Sequence, residues 1–207
     1  YEIILPQVKC CGRPMLSKGM ISKAKQNARY NVEVLYPYVK QGAKLVGIEP
    51  SCILSFVDDY VDLLEGDPKA KLIQENTMLI EEFIMHSQEN GVSLHLSNPP
   101  TNVLLHGHCH QKALVGTGTV MQLLDSIPGC SANETNAGCC GMAGSFGFEK
   151  EHYNMSLSIG EQSLFPEIRE FSHNGTIVSE GISCRQQIFE GTGRRAKHLI
   201  EMLADAL

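Results

Sequence analysis

The chain has 207 residues, 43% of them apolar and none of them Trp, enough to bury one good core or two small ones. Lys and Arg number 17 against 23 Asp and Glu, a net charge of −6, and no basic run could track a phosphate backbone, so nucleic acid is excluded as an expected partner. No stretch approaches the roughly 18 uncharged apolar residues of a membrane span. The chain opens on Tyr1, in the strand-like run Tyr1 to Leu5, and reads as a piece of something longer.

In chain order, Cys10-Cys11-Gly12 comes first. Ile21, Ala24, Ala28, Val32, Leu35 and Val39 then recur at three and four, which predicts a helix with one buried face, broken or restarted at Pro37. Gly42 supplies a left-handed cap before a strand at Lys44 to Ile48, which delivers Cys52. The run from Ile53 to Leu64 predicts a second helix. A long third helix is expected from Pro68 to about Asn90, with Leu72, Ile73, Leu79, Ile80, Phe83 and Ile84 inward. Asn98-Pro99-Pro100 marks the boundary between halves, giving expected domains 1–98 and 99–207.

The second half opens with a strand from Val103 to His108 that ends at Cys109. Helices are expected near Thr119 to Asp125, Glu149 to Leu164 and Arg195 to Ala206, and a strand at Thr176 to Val178 leads to Cys184. The order of parts repeats. Cys10-Cys11-Gly12 and Cys139-Cys140-Gly141 are each followed, after about forty residues, by a strand and then Glu-Pro-Ser-Cys52 or Glu-Gly-Ile-Ser-Cys184. The fold class is therefore α/β: two similar lobes from an internal repeat, each a small, mainly parallel sheet flanked by helices.

Eight cysteines could mean disulfides, but adjacent cysteines do not easily bridge to each other, and a reduced, cytoplasmic, metal-binding role is favoured. Cys52, Cys109 and Cys184 each follow a strand and start a helix, where the helix dipole favours a thiolate. Cys139 and Cys140 can share a site only if the chain turns, and Gly138 and Gly141 permit the turn. Cys109, Cys139, Cys140 and Cys184 thus form a four-thiolate set suited to an iron–sulfur cluster or zinc. Cys10, Cys11 and Cys52 are the secondary candidates, a set lacking its fourth ligand. Cys130 reads as a buried apolar filler. His106, His108 and His110 alternate about Cys109, so on a continued strand they face away from it. His106 and His110 are candidates to support the site from behind, and His110 is equally well read as a satisfied helix-start histidine. The turns at Gly116 to Gly118 and Gly191 to Gly193 match no complete phosphate-binding fingerprint.

Lys-Cys10-Cys11-Gly-Arg-Pro14, Glu-Pro-Ser-Cys52, His106-Gly-His-Cys109-His110, Ala-Gly-Cys139-Cys140-Gly-Met-Ala-Gly-Ser145 and Gly-Ile-Ser-Cys184-Arg-Gln-Gln-Ile188 together resemble the CCG cysteine-rich domain family, over nearly the whole chain. Its members include one of the subunits of heterodisulfide reductase and the iron–sulfur subunit of glycolate oxidase. The stretch from His106 to Phe165 most nearly resembles the C-terminal region of large FAD-linked oxidases of the D-2-hydroxyglutarate dehydrogenase kind. The resemblance implies an electron-transfer module of an iron–sulfur 2-hydroxy acid dehydrogenase or oxidase, carrying a [4Fe-4S]-type or non-cubane cluster, or zinc after aerobic preparation. FAD would belong to the parent protein, and this chain would hold no catalytic residue for substrate oxidation. Flavin and ferredoxin-like domains are the implied partners, a quinone or disulfide the implied acceptor, and the cytoplasm, including the inner face of the membrane, the implied location. Gly181 stands where the family's closing C-x-x-C has its first cysteine. Two other readings stand beside this one: a zinc-binding or metal-free interaction module, and a thiol–disulfide reductase with Cys139 or Cys140 as nucleophile.

Overall fold

A computed structural model describes residues 1–97 and 100–207. Asn98 and Pro99 of the expected boundary lie outside the described residues. Two compact units emerge, Tyr1–Gly47 with Ser51–Ile80, and Ile48–Pro50 with Glu81–Leu207. The α/β class is observed in both.

The first unit contains α1 (Arg13–Ser17), α2 (Ile21–Lys40), β1 (Leu45–Gly47), most of α3 (Pro50–Val57), α4 (Asp59–Leu63), α5 (Pro68–Glu75) and β2 (Thr77–Leu79). The inward stripe of α2 is Ala24, Ala28, Asn31, Val32, Leu35 and Val39. Pro37 does not break α2, contrary to the expectation. It removes one backbone donor in the last turn, while Leu35 and Val39 on either side are anchored in the core. The periodicity predicts an unbroken third helix to Asn90; the helix stops at Glu75. Asn76 Nδ2 donates back to the Leu72 carbonyl at 2.9 Å and Thr77 Oγ1 to the Ile73 carbonyl at 2.7 Å, which satisfies the helix end. Thr77, Met78 and Leu79 then pair in parallel with Leu45, Val46 and Gly47. Asp67 opens α5, its carboxylate accepting the Lys69 amide at 2.8 Å, with Pro68 in the first turn.

The second unit begins with α6 (Ile80–Glu89), all but its first residue, and continues through β3 (Asn102–Leu105), α7 (Cys109–Leu114), α8 (Gly118–Asp125), β4 (Ser131–Glu134), α9 (Tyr153–Glu161), α10 (Leu164–Glu170), β5 (Thr176–Val178), α11 (Ile182–Thr192) and α12 (Leu199–Ala206). The sheet order is β4-β3-β5, all parallel. Successive residues of the central strand enter different cores. Val103 and Leu105 join Val120, Leu124, Val178 and Leu199, whereas Leu104 joins Phe165, Ile168, Ile177 and Ile188. A strand covered on both faces reads as a continuous apolar run, as β3 does. Because the three strands are parallel, their carboxyl ends emerge on one edge of the sheet. His106, Thr135 and Ser179 are the residues that follow within one position of those ends.

Candidate metal centre

Three segments leave that edge and bring sulfur with them. After β3 the backbone of His106 is clamped, its amide donating to the Val178 carbonyl at 2.8 Å and its carbonyl accepting the Ser179 hydroxyl at 2.9 Å. The strand ends at Leu105, so strand alternation does not govern the histidines. His106 turns inward, 1% exposed, with its Nδ1 3.1 Å from Thr135 Oγ1. His108 caps α7, its Nδ1 accepting the His110 amide at 3.2 Å, and Cys109 is the first residue of that helix. After β4 the loop to Cys139 and Cys140 is tied down by Lys112, whose ammonium donates to the Ala137 carbonyl at 2.9 Å and pairs with Glu134 at 3.2 Å. After β5, Gly181 leads into α11 and Cys184 lies in its first turn.

The doublet converges on one site through the turn the glycines supply. Gly141 sits at φ 99° and Gly144 at 70°, with Ala143 at 41° between them. The Gly141 amide donates to Cys139 Sγ at 3.3 Å. The second CCG glycine has no room for a side chain, since a Cβ there would stand 2.1 Å from the Ser156 carbonyl oxygen in α9.

The four cysteines act on one another electrostatically in a row. Cys109 meets Cys139, Cys139 meets Cys140, Cys140 meets Cys184, and Cys184 meets the His106 imidazole. Exposure falls along it, from exposed Cys109 through half-buried Cys139 to buried Cys140 and Cys184. The Cys109 thiol is raised chiefly because it hydrogen-bonds to Cys139, and Cys139 in turn is lowered to about 2 by Cys109, Cys140 and the Gly141 amide. Cys140 is raised by its bonds to both neighbours and by burial. Cys184 is lowered by Cys140 first, against its burial, and further by His106. The ligand atoms of His106, Cys140 and Cys184 all lie within 4.8 Å of one another. A chain of soft thiolates with an imidazole at its buried end is a donor set that suits iron–sulfur chemistry or zinc.

The first unit gathers its three cysteines likewise. Buried Cys11 touches exposed Cys52 and Cys10, and its thiol is raised by the bond to Cys52 and by burial. Helix α2 holds this turn. Asn31 accepts the Lys9 amide at 2.7 Å and donates to the Lys9 carbonyl at 3.1 Å, and Asn27 donates to the Cys10 carbonyl at 3.1 Å. Tyr60, nearly inaccessible, accepts from Asn31 at 2.9 Å. Cys130 stands apart before β4, half-buried against an apolar cluster.

Two features have no sign in the sequence: Thr135, which follows the mostly polar strand Ser131–Glu134, and the arrangement around Glu81. Glu81 and Glu180, each 1% exposed, face each other beside Gln111, whose amide donates to Glu81 Oε1 at 2.8 Å. Burial and the facing Glu180 push Glu81 up to about 9, and burial raises Glu180 as well.

Residues 2–57 match the family described as CCG: Cysteine-rich domain. Over those residues the chain is similar to a CCG cysteine-rich domain. It is 32% identical over 205 residues to a subunit of the anaerobic glycerol-3-phosphate dehydrogenase of Escherichia coli, an alignment covering 99% of the chain and 51% of the relative. It is 27% identical to D-2-hydroxyglutarate dehydrogenase of Pantoea ananatis, over 100% of the chain and 20% of that protein, and 26% identical to lactate utilization protein A of Bacillus subtilis, over 98% and 86%. The chain therefore spans about half the length of the first of these relatives and a fifth of the second. Among the described residues no helix is long and apolar enough to cross a membrane.

Proposed function

We propose that the chain is the cysteine-rich electron-transfer part of an FAD-linked, iron–sulfur dehydrogenase, with Cys109, Cys139, Cys140 and Cys184 as the ligands of a [4Fe-4S]-type cluster. The observation that carries this is the placement of Cys109, Cys139, Cys140 and Cys184 on the three segments that leave the carboxyl edge of β4-β3-β5, with Cys140 and Cys184 within 4.8 Å of each other. The names of the relatives support the oxidoreductase setting. D-2-hydroxyglutarate, lactate and glycerol 3-phosphate each carry a secondary alcohol, two of them on the carbon next to a carboxylate. The parent substrate class in this proposal is accordingly a 2-hydroxy acid or a close secondary alcohol, oxidised at a flavin outside this chain.

A cluster bound here supplies one-electron storage at low reorganisation cost. The chain's own residues do the rest. Cys140 and Cys184 lie away from water, which protects their sulfurs from oxidation, while exposed Cys109 and half-buried Cys139 mark the side from which a ferredoxin-like donor or an acceptor approaches. The Gly141 amide bond to Cys139 stabilises negative charge on that sulfur. Helix α7 and helix α11 each aim an N-terminal turn at the site. The acceptor in this reading is a quinone or a disulfide, and the location is the cytoplasm or the inner face of the membrane. Cys10, Cys11 and Cys52 make a second, three-thiol site of the same repeat, with the boundary between halves near residue 98. Zinc is the alternative occupant of the thiolate row. Anaerobic purification tests the proposal: a brown protein with iron and acid-labile sulfide in equal amounts supports it, and a colourless one holding only zinc overturns it.

A further inference from the structure

Cys184 is flanked on one side by bare backbone. A Cβ at Gly181 would stand 2.4 Å from His108 Cδ2 and 3.2 Å from Cys184 Sγ, so no side chain at that position can reach the site while the His108 ring is in place. The donor that does stand beside Cys184 and Cys140 is the His106 imidazole, with all three ligand atoms within 4.8 Å of one another. It has the support that metal-bound histidines carry. One ring nitrogen, Nδ1, is held 3.1 Å from Thr135 Oγ1, which fixes the ring and leaves Nε2 for the sulfurs. Its backbone is bonded on both sides, to Val178 and Ser179, and the residue is 1% exposed. A histidine so fixed is pre-oriented for coordination and has no water to lose.

We infer that His106 is a direct metal ligand, binding through Nε2 in the same shell as Cys140 and Cys184, so that the centre has one nitrogen donor beside its thiolates. This rests on the proposal that the sulfur row is a metal centre, and it revises the ligand set: a four-ligand centre that takes His106, Cys140 and Cys184 keeps only one of Cys109 and Cys139. Exchanging part of a thiolate environment for neutral imidazole removes negative charge from the centre and raises its reduction potential.

The full chain carrying 15N-labelled histidine is purified anaerobically, its iron and sulfide are measured, and pulsed EPR is recorded on the reduced sample. Strong coupling of the cluster to one histidine nitrogen is expected. In His106→Cys the iron should be retained, the coupling lost and the midpoint potential shifted downward. An iron-loaded wild-type protein with only the weak coupling of a distant hydrogen-bonded ring overturns the inference. A preparation without sulfide defeats the cluster proposal instead, and Co(II) added to the metal-free chain then decides the ligand separately. Thiolate-to-cobalt absorption accompanied by histidine nitrogen coupling sustains His106 as ligand. Cobalt bound without that coupling, or no cobalt bound at all, overturns it.

Discussion

The two CCG glycines make a matched pair with different surroundings, and replacing each by alanine separates two costs. Gly12 has φ 94° and Gly141 φ 99°, so both substitutions force an L residue into the left-handed region, at about 1–2 kcal/mol. At Gly12 the added methyl would lie 3.4 Å from Ala24 Cα and Cβ, ordinary contact, so Gly12→Ala should cost about that strain and no more. At Gly141 it would lie 2.1 Å from the Ser156 carbonyl oxygen and 3.0 Å from its carbon, both backbone atoms of α9. No rotamer change relieves that, and overpacking of this kind adds roughly 1–3 kcal/mol, for a total of about 3–5 kcal/mol. Hydrogen exchange read by mass spectrometry resolves the two sites: in Gly12→Ala, α2 should lose about one to two kcal/mol of protection, while in Gly141→Ala, α9 should lose at least twice as much. Equal losses in the two variants would refute the assignment of the larger cost to the Ser156 carbonyl.

Glu81 gives a pH prediction. Its folded value of about 9 lies above the ordinary 4.5, so its contribution to stability is full below about 4.5 and is lost as pH rises toward 9. Between pH 6 and 8 the contribution of Glu81 alone should fall by up to about 1.4 kcal/mol per pH unit. Glu81→Gln should remove that component, so that the wild-type urea midpoint falls relative to the variant's as pH rises, and parallel curves would contradict the burial of an ionisable Glu81 beside Glu180. The cysteine row makes a second prediction: with Cys139 and Cys184 held below the ordinary thiol range, binding of Zn(II) should release fewer protons than the number of cysteines it ligates. Calorimetry in buffers of differing ionisation enthalpy measures the number, and a release of one proton per ligating cysteine would show that no thiolates preexist. Finally, Cys130→Ala should leave metal content unchanged and cost about 1 kcal/mol for a small cavity, whereas Cys184→Ala should abolish metal binding at this site. Loss of metal in the Cys130 variant would show that the ligand set has been misassigned.

Much of this architecture is legible in the sequence because a repeated doublet, strand and late cysteine carry both topology and chemistry. Cys109, Cys139, Cys140 and Cys184 come together because three parallel strands end on one edge; β3 and β5 are legible in the sequence, whereas the mostly polar β4 that leads to the doublet is not. The departures have local causes. The apolar spacing of Leu72, Ile73, Leu79 and Ile80 stays in phase across the turn at Asn76, so the break between α5 and α6 leaves no mark in the periodicity; it is set by the Asn76 and Thr77 side chains bonding back to the helix. Proline is a weaker signal in α2 than its usual effect suggests, because core packing on both sides of Pro37 outweighs one lost hydrogen bond. Strand alternation misplaces His106, since it ceases to apply one residue earlier, at Leu105. The Glu81–Gln111–Glu180 group joins residues from α6, α7 and the end of β5, and nothing in a linear chain announces such a meeting.

Whether the sulfur row from Cys109 to Cys184 seats an iron–sulfur cluster is tested most directly by Mössbauer spectroscopy of the 57Fe-labelled full chain, made and kept without oxygen, in the wild type and in Cys140→Ala. The expected result is iron in tetrahedral sulfide-and-thiolate sites in the wild type and loss of that signal in the variant. A wild-type spectrum without sulfide-bound iron, or a signal that survives unchanged in Cys140→Ala, would contradict it.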